Sequence, residues 1–424
     1  MTALVLRPGP ISGSIRAPPS KSYTHRALVV GHLAHRPFRV RQPLDSDDTR
    51  ATAVALGRLG TPVVRTEKMW EVRPGSLASS PRAVRIQCRE SGTTLRLACA
   101  LSALTERTVL ITSADRLSER PIDELLRALM KLGGEARHVR GLRTPIAIRG
   151  PIRGGHVSLD VSRSSQFASA LLLTLPTLDD DSVLELTGTI VSRPYIDATL
   201  AILRHHGIHL ERKGRRFYIP GRQRPQGSGF TVPGDASSAA YLWVAAALSG
   251  GQVSVTGLPQ KWPQADFAVL ELLRLAGATV VRRTDGATVS PGRPRPFRVD
   301  LTDAPDLYPL AGVIAATIPA ASYIFGAGHA VHKESDRKTA TGRLARCLGA
   351  KVKVSSVGLR ILGTSRPKAI NLPALTDHRL VMSAAAGALA AGERSRVGER
   401  EAVRKSFPEF WSALATLSGG SSGR

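Results

Sequence analysis

Ser237-Ser-Ala-Ala-Tyr-Leu-Trp-Val-Ala-Ala-Ala-Leu248 is one of six stretches in this chain that open on a polar residue and continue as an alanine-rich apolar run. The opening residues lie 69, 73, 73, 69 and 71 residues apart, and they are Ser22, Ser91, Ser164, Ser237, Asp306 and Asp377. A second series ends helical segments at intervals of 73, 74, 70 and 72 residues, and it consists of Gly60, Gly133, Gly207, Gly277 and Gly349. Two independent markers that share one period predict six copies of a single folding repeat.

Each repeat reads as a strand, a buried helix, an amphipathic helix and closing strands, a βαβαββ-type order. The first helices are apolar on nearly every face, so we predict that they are buried at 26–34, 94–104, 167–175, 239–248, 310–317 and 380–391. The Ser, Thr or Asp before each of them is predicted to be its N-cap. The second helices carry apolar residues three and four apart, end near a C-cap glycine, and are predicted at 121–132, 195–206, 265–276 and 336–348.

The two ends of the chain read as parts of one domain. The last repeat starts near residue 371 and stops before its closing strands, whereas the first sixteen residues supply two spare strands at 4–7 and 14–16. We therefore predict that the N-terminus returns to complete the last repeat. The result is an α/β protein of two domains with three repeats each, one covering 17–232 and the other covering 1–16 plus 233–424.

Composition describes a soluble globular protein, with 42% apolar and 22% charged residues among 424. No apolar run approaches the roughly 20 residues of a membrane span, and the start lacks a signal pattern, so we expect a cytoplasmic protein. The three cysteines have no metal-ligand spacing, which argues against a metal site or a disulfide framework.

The formal net charge of +26 suggests an anionic partner. Nucleic acid is poorly supported, because the basic residues are spread along the chain and the 19 aromatic residues do not recur between them. Helix N-termini attract anions, and six of similar design favour a protein that binds phosphate and carboxylate.

Polar residues cluster where the buried helices begin. Lys21, Ser22 and Arg26 surround the first helix start, and Ser91-Gly-Thr-Thr and Ser164-Ser-Gln166 offer hydroxyl and amide groups that suit phosphate. The densest cluster is His332-Lys-Glu-Ser-Asp-Arg337, and Asp377-His-Arg379 repeats its theme. Asp306 and Lys405 are further candidates near the same helix starts.

Ten motifs in register resemble the EPSP synthases, the 3-phosphoshikimate 1-carboxyvinyltransferases of the enolpyruvyl transferase family. They span the chain and comprise Ser-Lys-Ser-x-x-x-Arg (20–26), Ser-Gly-Thr-Thr-x-Arg (91–96), Glu-Arg-Pro (119–121), Ser-Ser-Gln (164–166), Ser-Arg-Pro-Tyr-Ile-Asp (192–197), Gly-Asp-Ala-Ser-Ser-Ala (234–239), Pro-Asp (305–306), Lys-Glu-Ser-Asp-Arg (333–337), Asp-His-Arg (377–379) and Lys-Ser-Phe-Pro (405–408). The resemblance implies two inside-out α/β barrels and transfer of the enolpyruvyl group of phosphoenolpyruvate to the 5-hydroxyl of shikimate 3-phosphate, in aromatic amino acid biosynthesis. It also implies no metal or organic cofactor, and we expect a monomer.

The resemblance assigns residues to both substrates. Shikimate 3-phosphate would contact Lys21, Ser22, Arg26, Ser164, Ser165, Gln166, Ser192, Tyr195, Asp306, His329 and Lys333. Phosphoenolpyruvate would contact Lys21, Gly92, Arg120, Gln166, Arg337, Arg379 and Lys405. Asp306 would accept the proton of the 5-hydroxyl, and Glu334 and Lys21 would donate a proton to the enol methylene, with the division between these two donors left open.

Two alternatives stay open at this point. The sister enolpyruvyl transferase that acts on UDP-N-acetylglucosamine usually carries a reactive Cys before its Arg-Pro, but residues 112–119 contain none. The other alternative is an RNA-binding protein or one like the RNA 3′-phosphate cyclases, which have related repeats. RNA affinity would fall steeply with salt, whereas the two-substrate enzyme would release one phosphate per turnover.

Overall fold

The fold mixes helices with short strands along the whole chain. The computed structural model describes residues 3–75, 83–141, 143–326 and 328–419, and for Ala3, Arg140 and His332 it describes the backbone only. The α/β class predicted from the sequence is confirmed. In this part of the chain the α-helices are α1 (Lys21–Leu33), α2 (Asp47–Arg58), α3 (Gly92–Ser102), α4 (Asp115–Ser118), α5 (Asp123–Lys131), α6 (Gln166–Thr174), α7 (Arg193–His205), α8 (Ala236–Ser249), α9 (Ala268–Leu275), α10 (Tyr308–Ala316), α11 (Arg337–Cys347), α12 (His378–Leu389) and α13 (Phe410–Leu417).

The strands of the described residues form six small sheets. In chain order they are β1 (Ala3–Leu6), β2 (Gly13–Arg16), β3 (Phe38–Arg41), β4 (Val63–Arg65), β5 (Met69–Val72), β6 (Val84–Gln87), β7 (Val109–Thr112), β8 (Glu135–His138), β9 (Ile146–Arg149), β10 (Gly155–Asp160), β11 (Ser182–Thr187), β12 (Glu211–Lys213), β13 (Arg216–Ile219), β14 (Gly229–Thr231), β15 (Val253–Thr256), β16 (Thr279–Arg283), β17 (Gly286–Ser290), β18 (Arg298–Asp300), β19 (Ala321–Phe325), β20 (Lys351–Val354), β21 (Gly358–Leu362), β22 (Asn371–Leu372) and β23 (Ser395–Glu399).

One pairing pattern recurs in these sheets. Their strand orders are β14-β3-β5-β4, β6-β7-β9-β8, β10-β11-β13-β12, β2-β15-β17-β16, β18-β19-β21-β20 and β22-β23-β1. The first two strands of each order are parallel, and every later pair is antiparallel. A parallel pair needs a crossover, and in four of these sheets the buried helix between the two strands supplies it, namely α3, α6, α10 and α12.

The N-terminal strands join two different sheets. As expected, β1 pairs with β23 of the last repeat, where Leu4 lies opposite Val397. The prediction that the second N-terminal strand also completes the last repeat is wrong, because β2 runs parallel to β15. Similarly, β14 pairs with β3, far earlier in the chain. Sequence periodicity shows that a strand exists but does not specify its neighbour, which tertiary packing selects.

The chain forms two compact units. The first unit comprises Pro19–Val232, and the second comprises Met1–Pro18 together with Pro233–Arg424. In the first unit the buried helices α1, α3 and α6 contact one another, and in the second unit α8, α10 and α12 do so. Their side chains are almost entirely buried, as their composition predicts.

The ends of the helices test the predicted caps. Ser91 and Asp377 are N-caps, and each accepts a backbone N–H of its own helix. The predictions for Ser22, Ser237 and Asp306 are wrong: Ser20 and Asp235 stand at the N-cap positions of α1 and α8, and Asp306 lies in a 3₁₀ turn before α10. The side chains of Ser237 and Asp306 instead bond elsewhere in the second unit.

The amphipathic helices end as predicted. Gly60, Gly133, Gly207, Gly277 and Gly349 follow α2, α5, α7, α9 and α11 and have φ between 71° and 96°. This left-handed conformation strains residues with a Cβ, so glycine is selected at each of these helix ends.

Candidate active site

In the second unit, a group of charged side chains gathers where the buried helices begin. Arg337 is the first residue of α11, and only 1% of its side chain is exposed. Its Nη1 donates to Asp306, its Nη2 donates to Glu334 at 2.6 Å, and its Nε donates to Asp377 at 3.3 Å. A buried cation is tolerated when carboxylates surround it, so Arg337 organises this group.

Asp306 is shared between two guanidinium groups. One carboxylate oxygen accepts from Arg337, and the other accepts from Nη2 of Arg379 at 2.7 Å. Nη1 of Arg379 donates to the Ser237 hydroxyl at 2.6 Å and contacts the Tyr241 hydroxyl at 3.3 Å. The start of α12 is thereby connected to the start of α8 and to the turn before α10.

Electrostatics keep Asp306 ionised. Burial on its own would raise the pKa of this carboxyl, but Arg379, Lys333 and Arg337 outweigh it and hold the pKa well below its ordinary value. Burial lowers the pKa of the neighbouring Lys333 ammonium group, while Asp306 opposes that effect. The group therefore presents several cations around a carboxylate, which suits an anionic ligand.

Three further predicted residues belong to the second unit. Lys405 Nζ lies 4.0 Å from Glu334 Oε1, so Glu334 faces Lys405 on one side and Arg337 on the other. His329 is buried in the short 3₁₀ segment Gly328–His332. Lys333, half-buried, follows that segment directly.

In the first unit, Lys21 begins α1 and forms an ion pair with Asp48 of α2, Nζ to Oδ2, at 2.9 Å. The two side chains are 15% and 7% exposed, so water screens this pair less than a surface pair. Ser22 is the next residue of α1, and its carbonyl accepts from Arg26. Lys21 and Ser22 thus lie in the first turn of the helix.

Arg26 is buried and holds three helices together. Besides Ser22 of its own helix, it donates to Thr199 at 2.9 Å, to the Tyr195 carbonyl at 2.7 Å and to Ser169 at 3.4 Å. These partners lie on α7 and α6. The salt bridges of the described residues include none from Arg26 to a carboxylate, and burial lowers its pKa.

Gly92, the first residue of α3, lies against two arginines. A Cβ added to Gly92 would approach Nη1 of Arg96 at 2.9 Å and Nη1 of Arg120 at 3.1 Å. Arg96 itself is buried and donates to the carbonyls of Gly92 and Pro121. The absence of a side chain at this position is what allows the Arg120 guanidinium to approach the helix start.

Ser164, Ser165 and Gln166 form the start of α6. Ser164 Oγ accepts the Gln166 backbone N–H at 3.2 Å, and the Gln166 side chain donates to Thr93 Oγ1 at 3.2 Å. Ser192 precedes α7 with φ 53°, a left-handed conformation that is strained for serine. Tyr195 lies one turn further on, and its N–H donates to the Ser192 carbonyl.

A buried chain of hydroxyl groups supports these helix starts. His25 Nδ1 lies 2.8 Å from Thr52 Oγ1, which lies 2.7 Å from Thr94 Oγ1, and Thr94 donates to Ser91 Oγ at 2.7 Å. His25 Nε2 has no hydrogen-bond partner among the described residues. The chain links α1, α2 and α3 beneath Lys21 and Gly92.

The structure therefore divides the predicted site residues into two sets. The first unit contains Lys21, Ser22, Arg26, Gly92, Arg120, Ser164, Ser165, Gln166, Ser192 and Tyr195. The second unit contains Asp306, His329, Lys333, Glu334, Arg337, Arg379 and Lys405. Within the second set, ion pairs bring together Asp306, Glu334, Arg337, Arg379 and Lys405.

Sequence reasoning missed several residues of the two groups. Asp48 was not identified as a partner of the site, and the roles of Ser237 and Asp377 in holding arginines were not predicted. For Asp48 the signal is weak, because Ser46-Asp-Asp is an ordinary helix start with a cap and dipole-compatible acids. Among the described residues, no group of three His, Cys, Asp or Glu could hold a metal ion.

Comparison with known proteins gives the family. A family model described as EPSP synthase (3-phosphoshikimate 1-carboxyvinyltransferase) matches residues 5–414. The chain belongs to the EPSP synthase family. It is 38% identical to the 3-phosphoshikimate 1-carboxyvinyltransferase of Methanoculleus marisnigri over 98% of this chain and 99% of that protein. It is 37% identical to the one from Halobacterium salinarum strain R1, over 97% of each chain.

Solved structures support the same fold. An EPSP synthase from Acinetobacter baumannii superposes with a TM-score of 0.81, covering 98% of each chain at 22% sequence identity. The family match over residues 5–414 confirms the resemblance seen in the sequence motifs. Along the described ranges, none of the helices combines the length and apolar character that crossing a membrane requires.

Proposed function

We propose that this chain transfers the enolpyruvyl group of phosphoenolpyruvate to the 5-hydroxyl of shikimate 3-phosphate and releases phosphate, a step of aromatic amino acid biosynthesis. The family match over residues 5–414 supports this reaction. The structural observation that carries it is the pair of guanidinium groups, Arg337 and Arg379, that meet on Asp306. Two multiply charged anions react only if cations offset their repulsion, and this arrangement supplies such cations.

Shikimate 3-phosphate is the ligand proposed for the first-unit set. Ser164, Ser165 and Ser192 offer hydroxyl groups at the starts of α6 and α7, where backbone N–H groups also favour a phosphate. Lys21 and Ser22 are proposed for the carboxylate, and Gln166 and Tyr195 for the ring. Asp306, His329 and Lys333 complete the proposed contacts.

Arg26 has a more specific role in this proposal. Its donors already hold the carbonyls of Ser22 and Tyr195 and the hydroxyls of α6 and α7. We therefore place it beneath the shikimate 3-phosphate site, where it keeps the first turns of α1 and α7 in register. Its positive charge still attracts the anionic ligand from this position.

Phosphoenolpyruvate is assigned to Arg337, Arg379 and Lys405, together with Lys21, Gly92, Arg120 and Gln166. Arginine binds phosphate and carboxylate through two parallel hydrogen bonds, which fix the orientation of the ligand. In the structure Asp306 accepts from donors of both Arg337 and Arg379. An incoming anion therefore competes with this carboxylate for the same N–H groups.

That competition prepares Asp306 for its proposed role as proton acceptor. While two guanidinium groups hold it, its pKa is well below the ordinary value and it is a poor base. When the substrate anion takes over those N–H groups, the carboxylate loses its stabilising partners and becomes more basic. It then accepts the proton as the 5-hydroxyl oxygen attacks C2 of phosphoenolpyruvate.

The remaining proton goes to the enol methylene group. Glu334 and Lys21 are the proposed donors, and their division of this role stays open. The tetrahedral intermediate then loses phosphate: the bond between C2 and the bridging phosphate oxygen breaks, and the methyl group returns one proton to the group that had donated it, which restores the enol double bond. The proposed chemistry requires no metal ion or organic cofactor.

We propose the finer architecture as well. The recurring strand pairing and the three contacting buried helices in each unit support two inside-out α/β barrels built from six repeats. We assign three repeats to each domain, with the domain boundaries near residues 17 and 233. The monomeric state and the cytoplasmic location stay predictions from the sequence.

The test is phosphate release by the purified chain. We expect release only when shikimate 3-phosphate and phosphoenolpyruvate are both present, with equal amounts of phosphate and enolpyruvyl product. UDP-N-acetylglucosamine in place of shikimate 3-phosphate should give none, and a salt titration with RNA should show no binding that many phosphates would produce. Turnover with the nucleotide sugar, or no turnover with both proposed substrates, would refute the proposed reaction.

A further inference from the structure

Ser335 lies in the segment of the second unit that carries the charged residues before α11. The reaction proposed above gives roles to its neighbours Lys333 and Glu334 but none to Ser335. This half-buried serine nevertheless makes a short hydrogen bond, because its hydroxyl donates to Oδ2 of Asp377 at 2.7 Å. An ionised acceptor makes such a bond stronger than one between neutral groups. The bond therefore ties this segment to a residue 42 positions further along the chain.

Asp377 is a fixed anchor for that bond. It is the N-cap of α12, where its Oδ1 accepts the backbone N–H of Arg379 at 2.9 Å. Its Oδ2 accepts from the Ser335 hydroxyl and, at 3.3 Å, from Nε of Arg337. Only 1% of the Asp377 side chain is exposed, and donors from two separate chain segments hold it. The carboxylate cannot turn without breaking at least one of these bonds.

The anchor fixes the residue that precedes Ser335. Ser335 and Arg337 both donate to Asp377 Oδ2, so the backbone between them is held at both ends. Glu334 is attached directly to this held backbone. Its Oε2 accepts from Nη2 of Arg337 at 2.6 Å, and its Oε1 lies 4.0 Å from Nζ of Lys405. The Ser335 bond therefore helps to determine where the Glu334 carboxylate lies between these two cations.

The start of α11 does not require Ser335. Asp336 is the N-cap of this helix, and its Oδ1 accepts the backbone N–H of Thr339 at 3.2 Å. Its Oδ2 also accepts from the Thr339 hydroxyl at 2.7 Å. The first turn of α11 thus has its own cap, which meets the usual need of a helix start. The bond from Ser335 to Asp377 is additional to this cap and connects the segment to the charged group around Arg337.

We propose that Ser335 is a positioning residue for Glu334. By donating to Asp377, it holds the Glu334 carboxyl group where it reaches the enol methylene of phosphoenolpyruvate. The inference deepens the proposed function, because it rests on Glu334 as a proton donor. A proton donor has to lie within reach of the atom that it protonates, and a small displacement slows the transfer strongly.

The experiment measures the steady-state kinetics of Ser335→Ala. We expect kcat to fall about tenfold, the loss typical of removing one hydrogen bond to a charged group. Both KM values should stay nearly unchanged, because Arg337 keeps its bond to Asp377. Ser335→Thr retains the hydroxyl group and should recover most of the lost kcat.

A double variant tests whether Ser335 acts through Glu334. Glu334→Gln removes the proton that Glu334 would donate, so that Lys21 remains as the other proposed donor. In this background Ser335→Ala should cause no further loss of kcat, because residues that act through one another give non-additive effects. A merely structural role of Ser335 would instead lower kcat about tenfold in both backgrounds.

Thr339→Ala is the matched control. It removes a hydroxyl–carboxylate bond of the same 2.7 Å length, from Thr339 to Asp336, at the start of the same helix. Its kcat and both KM values should match those of the unmodified chain. Thermal unfolding of each variant, followed by circular dichroism, separates a loss of positioning from a loss of fold. If Ser335→Ala does not fold, Ser335→Cys keeps the size of the side chain and weakens the donor.

The positioning role would be overturned by an unchanged kcat in Ser335→Ala, by an equal loss in Thr339→Ala, or by the same loss with and without Glu334. A Ser335→Thr variant no better than Ser335→Ala would also overturn it. If the unmodified chain releases no phosphate, the proposed function fails on its own account. Hydrogen exchange then tests the anchor without turnover, because the amides of residues 333–337 should exchange faster in Ser335→Ala than in the unmodified chain. Equal exchange would overturn the anchoring by Ser335.

Discussion

Asp306 does two things that would conflict if they happened at once. In the structure it is paired with Arg337 and Arg379, two buried cations whose charges it helps to offset. In the proposed reaction it must instead accept a proton. In the proposed reaction the substrate anion therefore has to take over the N–H groups of these arginines before Asp306 can accept the proton.

Asp306→Asn separates these two tasks. The amide is nearly isosteric but cannot accept the proton, so kcat should fall by about 100-fold or more. The KM for phosphoenolpyruvate should fall rather than rise, because the competing negative charge is gone. Steady-state kinetics measure both quantities.

Asp303→Asn is the matched control, since Asp303 is an exposed acid three residues earlier in the chain. Its kinetics should match those of the unmodified chain. An Asp306→Asn variant with nearly normal kcat would exclude the proton-acceptor role, and a raised KM for phosphoenolpyruvate would exclude the competition.

The variant Gly92→Ala adds one methyl group and tests the two arginines that lie against Gly92, namely Arg96 and Arg120. The added Cβ would come within 2.9 Å of Arg96 Nη1 and 3.1 Å of Arg120 Nη1, so both guanidinium groups would have to shift away from the start of α3. Gly92→Ala should therefore raise the KM for phosphoenolpyruvate and leave the KM for shikimate 3-phosphate nearly unchanged.

The control for this change is Gly57→Ala in the last turn of α2, where the nearest atom to the new Cβ is 4.0 Å away. It should keep both KM values and stabilise the chain by at most about 0.5–1 kcal/mol, since alanine favours a helix over glycine. Unchanged phosphoenolpyruvate kinetics in Gly92→Ala would place Arg120 outside the binding site.

At the scale of helices, sequence reasoning found the right elements but mistook some of their ends. A polar residue before an apolar run is a sound N-cap signal at Ser91 and Asp377. It fails at Ser237, because Asp235 is an equally good cap two residues earlier and leaves the serine free to bond Arg379. Local sequence alone does not decide between two adequate caps.

Asp48 and Thr52, which support the helix starts of the first unit, could not be identified from the sequence for a related reason. Thr52 lies within α2, where threonine gives no functional signal, and Asp48 reads as an ordinary first-turn acid. Their meaning depends on contacts with α1 and α3, which only the packed helices provide. The proposed site residues are those carried by motifs of the family.

The hydroxyl chain across α1, α2 and α3 predicts a pH-dependent stability. Burial, with Lys21 and Arg26 nearby, holds the pKa of His25 well below its ordinary value of 6.5. The neutral form is therefore favoured in the folded state, so its contribution is complete above pH 6.5 and is lost as the pH falls further. We expect the Tm to drop as the pH falls below 6.5, and to drop less in His25→Asn.

His156→Asn provides the comparison, because His156 is an exposed histidine on β10. This variant should keep the full decrease in Tm measured by calorimetry between pH 7 and pH 5. The same decrease in His25→Asn as in the unmodified chain would assign the acid sensitivity to other groups, among them His32 and His206, whose pKa values burial also lowers.

For the whole molecule, the sequence period predicted six repeated segments and the return of the N-terminus, and β1 confirms that return. It could not predict that β2 would pair with β15, because both candidate sheets lacked one strand and the alternation of a four-residue strand fits either. Which of the two sheets β2 joins is decided by the packing of the folded chain once β1 has paired with β23.

The pairing of β14 with β3 completes every sheet of the first unit within residues 19–232. We expect a fragment of these residues to unfold cooperatively, as seen by circular dichroism during thermal denaturation. A fragment of residues 233–424 lacks β1 and β2, so it should be markedly less stable until a peptide of residues 1–18 is added. Equal stability of the second fragment with and without the peptide would contradict this expectation.

The partnership of β1 with β23 also matters while the chain is being made. Ala3 lies opposite Glu399, so the first strand leaves the ribosome nearly 400 residues before its neighbour does. At about 5–20 residues per second, the nascent chain exposes this strand for roughly 20–80 s. The strands of residues 19–232 have been synthesised together with all their sheet partners long before then. Translation therefore lets this central segment fold first, and the pairing of β1 with β23 forms last.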